Sequence, residues 1–129
     1  PYFSNSLNSP DNARDHARHN DSLSFEDLAV IVKRHLSDTG HFELILPIEE
    51  AKRFDAQATN AGLAKVAAAT LQHSSNKAPN RLLIRYKHNN QVEQCVSFDE
   101  IVDTLTIRAD DGQFHPSFAA ITKAFYLKL

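Results

Sequence analysis

The seven residues 41–47, His-Phe-Glu-Leu-Ile-Leu-Pro, constrain the fold more than any other part of the chain. Leu44, Ile45 and Leu46 form an unbroken apolar run, which suits a strand covered on both faces better than one with a wet side. Gly40 stands just before it, where a preceding helix would end on a residue free to take positive φ. Pro47 closes the run, because it has no amide hydrogen to give to a ladder. Helical patterns flank the strand on both sides. Helix, glycine, buried strand, proline, helix is the order of a parallel α/β sheet, and the strand ends of such sheets are the usual place for a ligand.

The first flanking helix is predicted over residues 24–37. Ser24 suits its N-cap, with Asp27 three residues on as a capping partner, and Phe25, Leu28, Ile31, Val32 and Leu36 recur at helical spacing. The second is predicted over 49–61, with Glu49 and Glu50 in its first turn and Gly62 just past its end. Residues 63–73 are rich in alanine, which favours helix, but their place directly after Gly62 argues for a strand, and a strand is the expectation. A turn over 74–80 leads to a strand over 81–87, centred on Leu82, Leu83 and Ile84. Residues 88–91 turn the chain, 92–96 are expected to extend a hairpin, and 98–102 to make one helical turn. A last strand is predicted over 104–108, followed by the turn signal Asp110-Asp111-Gly112. A closing helix over 115–127 would start on Pro116 and line one face with Phe118, Ile121 and Phe125. Residues 1–23 read as a polar loop with one helical turn near 12–18. The expectation is a single domain over 1–129, a loop of 1–23 joined to an α/β core of 24–129.

Composition removes several function classes. A chain of 129 residues can bury one real core. The net charge of -2 supplies no global attraction to nucleic acid, which leaves only local basic patches. Cys95 is the single cysteine, so no disulfide framework exists, and a reducing, cytoplasmic setting is expected. No apolar run reaches the roughly 20 residues of a membrane span. The three glycines, Gly40, Gly62 and Gly112, are too far apart to build a glycine-rich phosphate loop. A nucleotide cofactor would therefore be held upstream of this stretch. The chain opens on Pro1 and contains no methionine, from which a processed or truncated piece is expected.

Few residues carry a chemical signal of their own. His16 and His19 have metal-ligand spacing but no cysteine or carboxylate set beside them, so the seven histidines read as scattered surface groups and no metal is expected. Cys95 reads as an inert thiol, and the serines lack a nucleophile-elbow glycine pattern. Arg14 and Arg18 in the opening loop, with Lys77 and Arg81 at the second turn, could hold phosphate, against a default of solvated charge. Tyr2 and Phe3 are adjacent aromatics in a polar segment, suited either to a ligand or to the edge of the core.

Three landmarks then line up with a known family. Pro1-Tyr2 resembles the second half of the Asn-Pro-Pro-Tyr motif that ends the fourth strand of adenine-amino methyltransferases. The segment from Leu36 through Gly40 to Phe42-Glu43-Leu44-Ile45-Leu46-Pro47 resembles the helix and fifth strand of S-adenosylmethionine-dependent methyltransferases. The end, from Phe118 to Phe125-Tyr126-Leu127, is similar to the closing helix of the bacterial valine-tRNA adenine-N(6)-methyltransferases. Ala17-Arg18-His19, Arg81-Leu82-Leu83 and Leu105-Thr106-Ile107-Arg108 also resemble that subfamily. The resemblance covers essentially the whole chain. The family's cofactor-binding glycine loop, its acidic ribose ligand and the Asn-Pro of the motif have no counterpart here.

The resemblance implies the C-terminal half of a class I, Rossmann-like methyltransferase: a mixed sheet ending in an antiparallel hairpin, flanked by helices. In the family the motif's Asn side chain and first proline carbonyl accept hydrogen bonds from the adenine amine and orient its lone pair. The following aromatic stacks on the flipped base, a contact worth about 1–3 kcal/mol. Pro1 and Tyr2 are thereby the implied catalytic residues, with Phe3, Arg18 and Arg81 as contacts to substrate tRNA. S-adenosylmethionine is the implied cofactor of the parent enzyme, not bound by this stretch, which alone would be inactive. The strand from His41 to Leu46 would pair with an absent fourth strand, so dimerisation or strand exchange through its bare edge is expected. The alternatives are a methyltransferase for another planar amine or amide (rRNA guanine, DNA adenine, protein glutamine) and a non-catalytic α/β binding module.

Overall fold

Two helices cover one face of the strand that the sequence singles out. The structure, a computed structural model, describes residues 23–126. Its elements are α1 (Phe25–His35), β1 (Phe42–Pro47), α2 (Ile48–Ala61), β2 (Leu63–Ser74), β3 (Arg81–His88), β4 (Thr104–Arg108) and α3 (Pro116–Thr122). Single 3-10 turns lie at Asn89–Gln91 and Phe98–Glu100. The α/β class and the mixed sheet with flanking helices are as expected.

Local chemistry sets most of the boundaries. The Ser24 hydroxyl accepts the Asp27 amide at 3.0 Å, which caps α1. Glu26 and Asp27 in its first turn and Lys33, Arg34 and His35 in its last suit the helix dipole. The helix ends at Leu36, whose carbonyl accepts a hydrogen bond from His88 Nε2 at 2.7 Å, so a contact from β3 fixes its terminus. Gly40 does not take the positive φ expected of it; only Gly62 and Gly112 do among the described residues. Gly40 answers to space instead, since a Cβ there would stand 2.6 Å from Ser37 Oγ. Gly62 caps α2 in the left-handed region at φ 92, and Lys33 Nζ ties its carbonyl to α1 at 3.0 Å.

The sheet has the order β1-β3-β2-β4. β3 lies between β1 and β2 and is antiparallel to both, so β1 and β2 run in the same direction without touching. β4 adds to the far side of β2 in parallel. Two expectations need correction here. The antiparallel hairpin is β2–β3, not a pairing that runs on into residues 92–96, and the sheet ends in the parallel strand β4. Both edges of β3 are already occupied, so 92–96 cannot pair with it. It crosses the sheet end instead, held by the Val96 amide on the Lys65 carbonyl at 2.9 Å.

Side chains on alternate positions divide the sheet into two unlike faces. Leu44, Leu46, Leu82, Ile84 and Tyr86 are buried under the helices, against Ala29, Ala51, Phe54 and Ala58. Phe54 of α2 is fully buried at the centre, with the rings of Phe25, Phe42 and Tyr86 at 5.6, 6.1 and 5.5 Å. Such contacts add about 0.5–1.5 kcal/mol each beyond the area they bury. The opposite face carries Ile45, Leu83 and Ala69 across one rung and Glu43, Arg85 and Ala67 across the next. Ile45 is 48% exposed there. The apolar run of β1 is thus covered on one face, not two, among the described residues, because α1 and α2 both pack on the same side.

The closing helix is shorter than predicted. It stops at Thr122, whose hydroxyl turns back to the Phe118 carbonyl at 2.8 Å. Ile121 and Phe125 are 62% and 86% exposed, so the face assigned to the core is not buried. Phe118 stacks on Phe114 instead, with ring centroids 5.4 Å apart.

Candidate functional site

The strands that share a direction, β1, β2 and β4, all finish at one end of the sheet, and Lys77, Arg81 and Arg108 lie at that end. Pro47, the last residue of β1, is paired across the ladder with Arg81, the first of β3, which is paired in turn with Leu71 of β2. The Ile48 amide donates to the Asn80 carbonyl at 3.3 Å, which locks the start of α2 to the strand beside it. Arg81 is exposed, and its side chain makes no hydrogen bond or ion pair among the described residues. Lys77 is exposed on the loop between β2 and β3. Arg108 ends β4 opposite Ser74. A groove of about 400 Å³ runs between these last elements, lined among others by His73, Lys77, Arg108 and Asp110.

Of the residues expected to act on substrate, Arg81 alone falls where its position can be examined. It stands at the strand-end rim that the sheet direction marks as the ligand end. Pro1, Tyr2, Phe3 and Arg18 lie outside the described residues, as do Arg14, His16 and His19. Cys95 is exposed. Sequence reasoning did not single out Arg108. Its signal was a basic residue closing an alternating strand just before an Asp-Asp-Gly turn, whereas Lys77 and Arg81 were noticeable as basic residues at a turn.

The other end of the sheet carries a buried polar cluster with a different character. Lys65 Nζ and Tyr86 Oη both donate to the Asp55 carboxylate, at 3.0 and 2.8 Å, one to each oxygen. Lys65 is only 6% exposed and also lies 3.6 Å from the centroid of the Phe98 ring. Burial pushes the Tyr86 phenol far above its ordinary range, and the hydrogen bond to Asp55 and its charge add to the shift. The phenol is therefore a fixed donor, unsuited to proton transfer. Every charge in the cluster has a partner, and its work is to join α2, β2, β3 and the 92–101 segment. A lysine in the alanine-rich run of β2 was the sequence signal for it.

No family model matches the chain. Curated relatives do. One from Dyadobacter fermentans is 36% identical over 99% of the chain and 52% of its own length. One from Shewanella loihica is 37% identical over 100% of the chain and 53% of its own length. One from Phocaeicola vulgatus is 33% identical over 100% of the chain and 52% of its own length. All three are methyltransferases by name, and the chain is similar to them along its whole length. Their shared name is tRNA1(Val) (adenine(37)-N6)-methyltransferase. The chain spans about half the length of the curated relatives it matches.

Proposed function

We propose that the chain is the C-terminal half of a Rossmann-like, S-adenosylmethionine-dependent methyltransferase. The complete protein would methylate the exocyclic amine of an adenine beside the anticodon of a valine tRNA, in the cytoplasm. The observation that carries this is the match along the whole of this chain to relatives of that one name at 33–37% identity. The architecture is compatible with it, with β1 and β2 aligned and β3 inserted between them in the opposite sense.

The described residues do not fit the cofactor. Gly62 caps a helix, where a Cβ would stand 3.2 Å from the Lys33 side chain, Gly40 is crowded by Ser37, and no glycine-rich strand-to-helix turn exists among them. The cofactor is assigned to the rest of the complete protein, and the stretch by itself is expected to be inactive. The roles left to this chain are contacts to the substrate. Tyr2 would stack on the flipped adenine beside Pro1, while Phe3, Arg18 and Arg81 would hold the tRNA around it. The bare side of β1 would take a further strand of the complete protein. Strand exchange or dimerisation between two copies through the same edge belongs to this proposal too, and a stable, non-exchanging monomer in size-exclusion chromatography would remove it.

The test is methyl transfer by the complete protein to a valine tRNA transcript, with the modified base identified by mass spectrometry of nucleosides. N6-methyladenine next to the anticodon is the expected product. Tyr2→Ala should lower kcat/KM by about 10- to 100-fold, the range set by loss of one base-stacking contact. Methylation confined to rRNA, DNA or a glutamine side chain would overturn the assignment of substrate.

A further inference from the structure

We propose that the groove at the ends of β2 and β4 binds a phosphodiester of the substrate RNA, with Arg108 and Lys77 as its two cations. The inference rests on the RNA-methylating reading above. Arg108 is held before any ligand arrives. Its guanidinium carbon lies 4.0 Å from the centroid of the Phe114 ring, and Nη1 donates to the Gly112 carbonyl at 3.3 Å. Phe114 is backed in turn by the stacked ring of Phe118. The backbone that carries these groups is also fixed, since Arg108 and Phe114 form an antiparallel bridge and the Ala109 amide donates to the Gln113 carbonyl at 2.9 Å. A guanidinium has five donors in a planar fork that matches phosphate geometry, and the Gly112 carbonyl takes one of them.

Lys77 supplies the second charge from across the groove. Its amide donates to the Ser74 carbonyl at 3.0 Å, which folds the loop back over the end of β2. Its side chain is exposed and unpaired among the described residues. The carboxylate that lines the groove, Asp110, accepts the Ser75 hydroxyl at 2.7 Å and so ties the loop after β2 to the turn after β4. Two cations thus face one carboxylate engaged by a hydroxyl, and His73 and Asn76 add further polar groups. The groove lies at the same end of the sheet as Arg81, so an RNA strand held at Arg81 needs only to continue along the rim to reach it. A phosphodiester fits the open, polar shape better than an apolar small molecule, which would need enclosing walls.

The experiment uses the complete protein and an anticodon stem-loop RNA, with affinity read by fluorescence anisotropy across a salt series. Lys77→Ala should weaken binding several-fold and reduce the slope of log K against log salt by about 0.7, the release expected for one single-strand phosphate contact. Arg108→Gln should do the same, and Arg108→Lys should keep the salt slope while losing part of the affinity, because charge survives and the fork does not. Lys77 is exposed, so its variant carries the test even if Arg108→Gln disturbs the Phe114 turn. Unchanged affinity and slope in Lys77→Ala, with the wild type binding and methylating the RNA, overturns the groove and leaves the enzyme reading intact. A wild type that neither binds nor methylates the tRNA overturns both. Calorimetric binding of inorganic phosphate that Lys77→Ala abolishes, with no effect on RNA, would replace the phosphodiester by a free anion and also overturn the proposal.

Discussion

Asp55 shows how much one side chain can decide in a small sheet. Its two oxygens take donors from two different strands, so it is the acceptor on which Lys65 and Tyr86 both depend. Asp55→Ala leaves a buried ammonium without its carboxylate and should destabilise the fold by about 3 kcal/mol in chemical denaturation. Tyr86 makes the same cluster sensitive to alkali. Its folded-state pKa is raised, so above about pH 10, where an unfolded tyrosine gives up its proton, the native state holds the proton and the unfolded state does not. Stability is then complete below that pH and falls as pH rises, by up to about 1.4 kcal/mol per pH unit. Thermal melts from pH 8 to 11 should show the decline, and Tyr86→Phe should flatten it relative to the wild type at some cost in stability near neutrality.

At the level of elements, caps and breakers were legible and pairings were not. Ser24 and Gly62 marked the ends of α1 and α2 because capping is settled within a few residues of sequence. Ser24→Ala should cost about 1 kcal/mol of stability. Gly62→Ala should cost about as much, since a residue at φ 92 is strained whatever surrounds it. Gly40 misled because a glycine spaced for a cap and a glycine spaced for a close approach look the same until the Ser37 side chain is in place. Residues 92–96 misled for a non-local reason. Whether a strand-like stretch pairs depends on whether an edge is free, and β3 had none left. The closing helix is shorter than its helical stripe suggests because Phe118 packs on the Phe114 ring while Ile121 and Phe125 stay exposed.

For the whole molecule, what the sequence could reveal of the site was its address. Lys77 and Arg81 at a turn between two strands could be read from the sequence, but Arg81 reaches the end of β1 only because β3 runs antiparallel to β1 and β2. The convergence of Arg108 on the same end could not be read there, because it depends on β4 adding in parallel to the outer side of β2. On the proposed RNA-methylating function, Arg81→Ala in the complete protein should weaken tRNA binding several-fold in an anisotropy titration without altering its thermal melt, since the side chain is exposed and makes no hydrogen bond or ion pair among the described residues. Arg85 on the same strand is the contrasting case. Its Nε donates to Glu43 at 2.6 Å on the uncovered face, so replacing it should change affinity little.

The inserted position of β3 also has a consequence in time. On a ribosome the chain emerges from its N-terminal side, and β1, α2 and β2 are all made before Arg81 appears. β1 and β2 cannot hydrogen-bond to each other in this order, because the place between them belongs to a strand that has not yet been synthesised. The nascent chain must therefore wait roughly one further strand length, through His88, before this part of the sheet can close. Translation stalled before that point should yield a protease-sensitive intermediate, and release by only a few more codons beyond the exit tunnel should make it resistant.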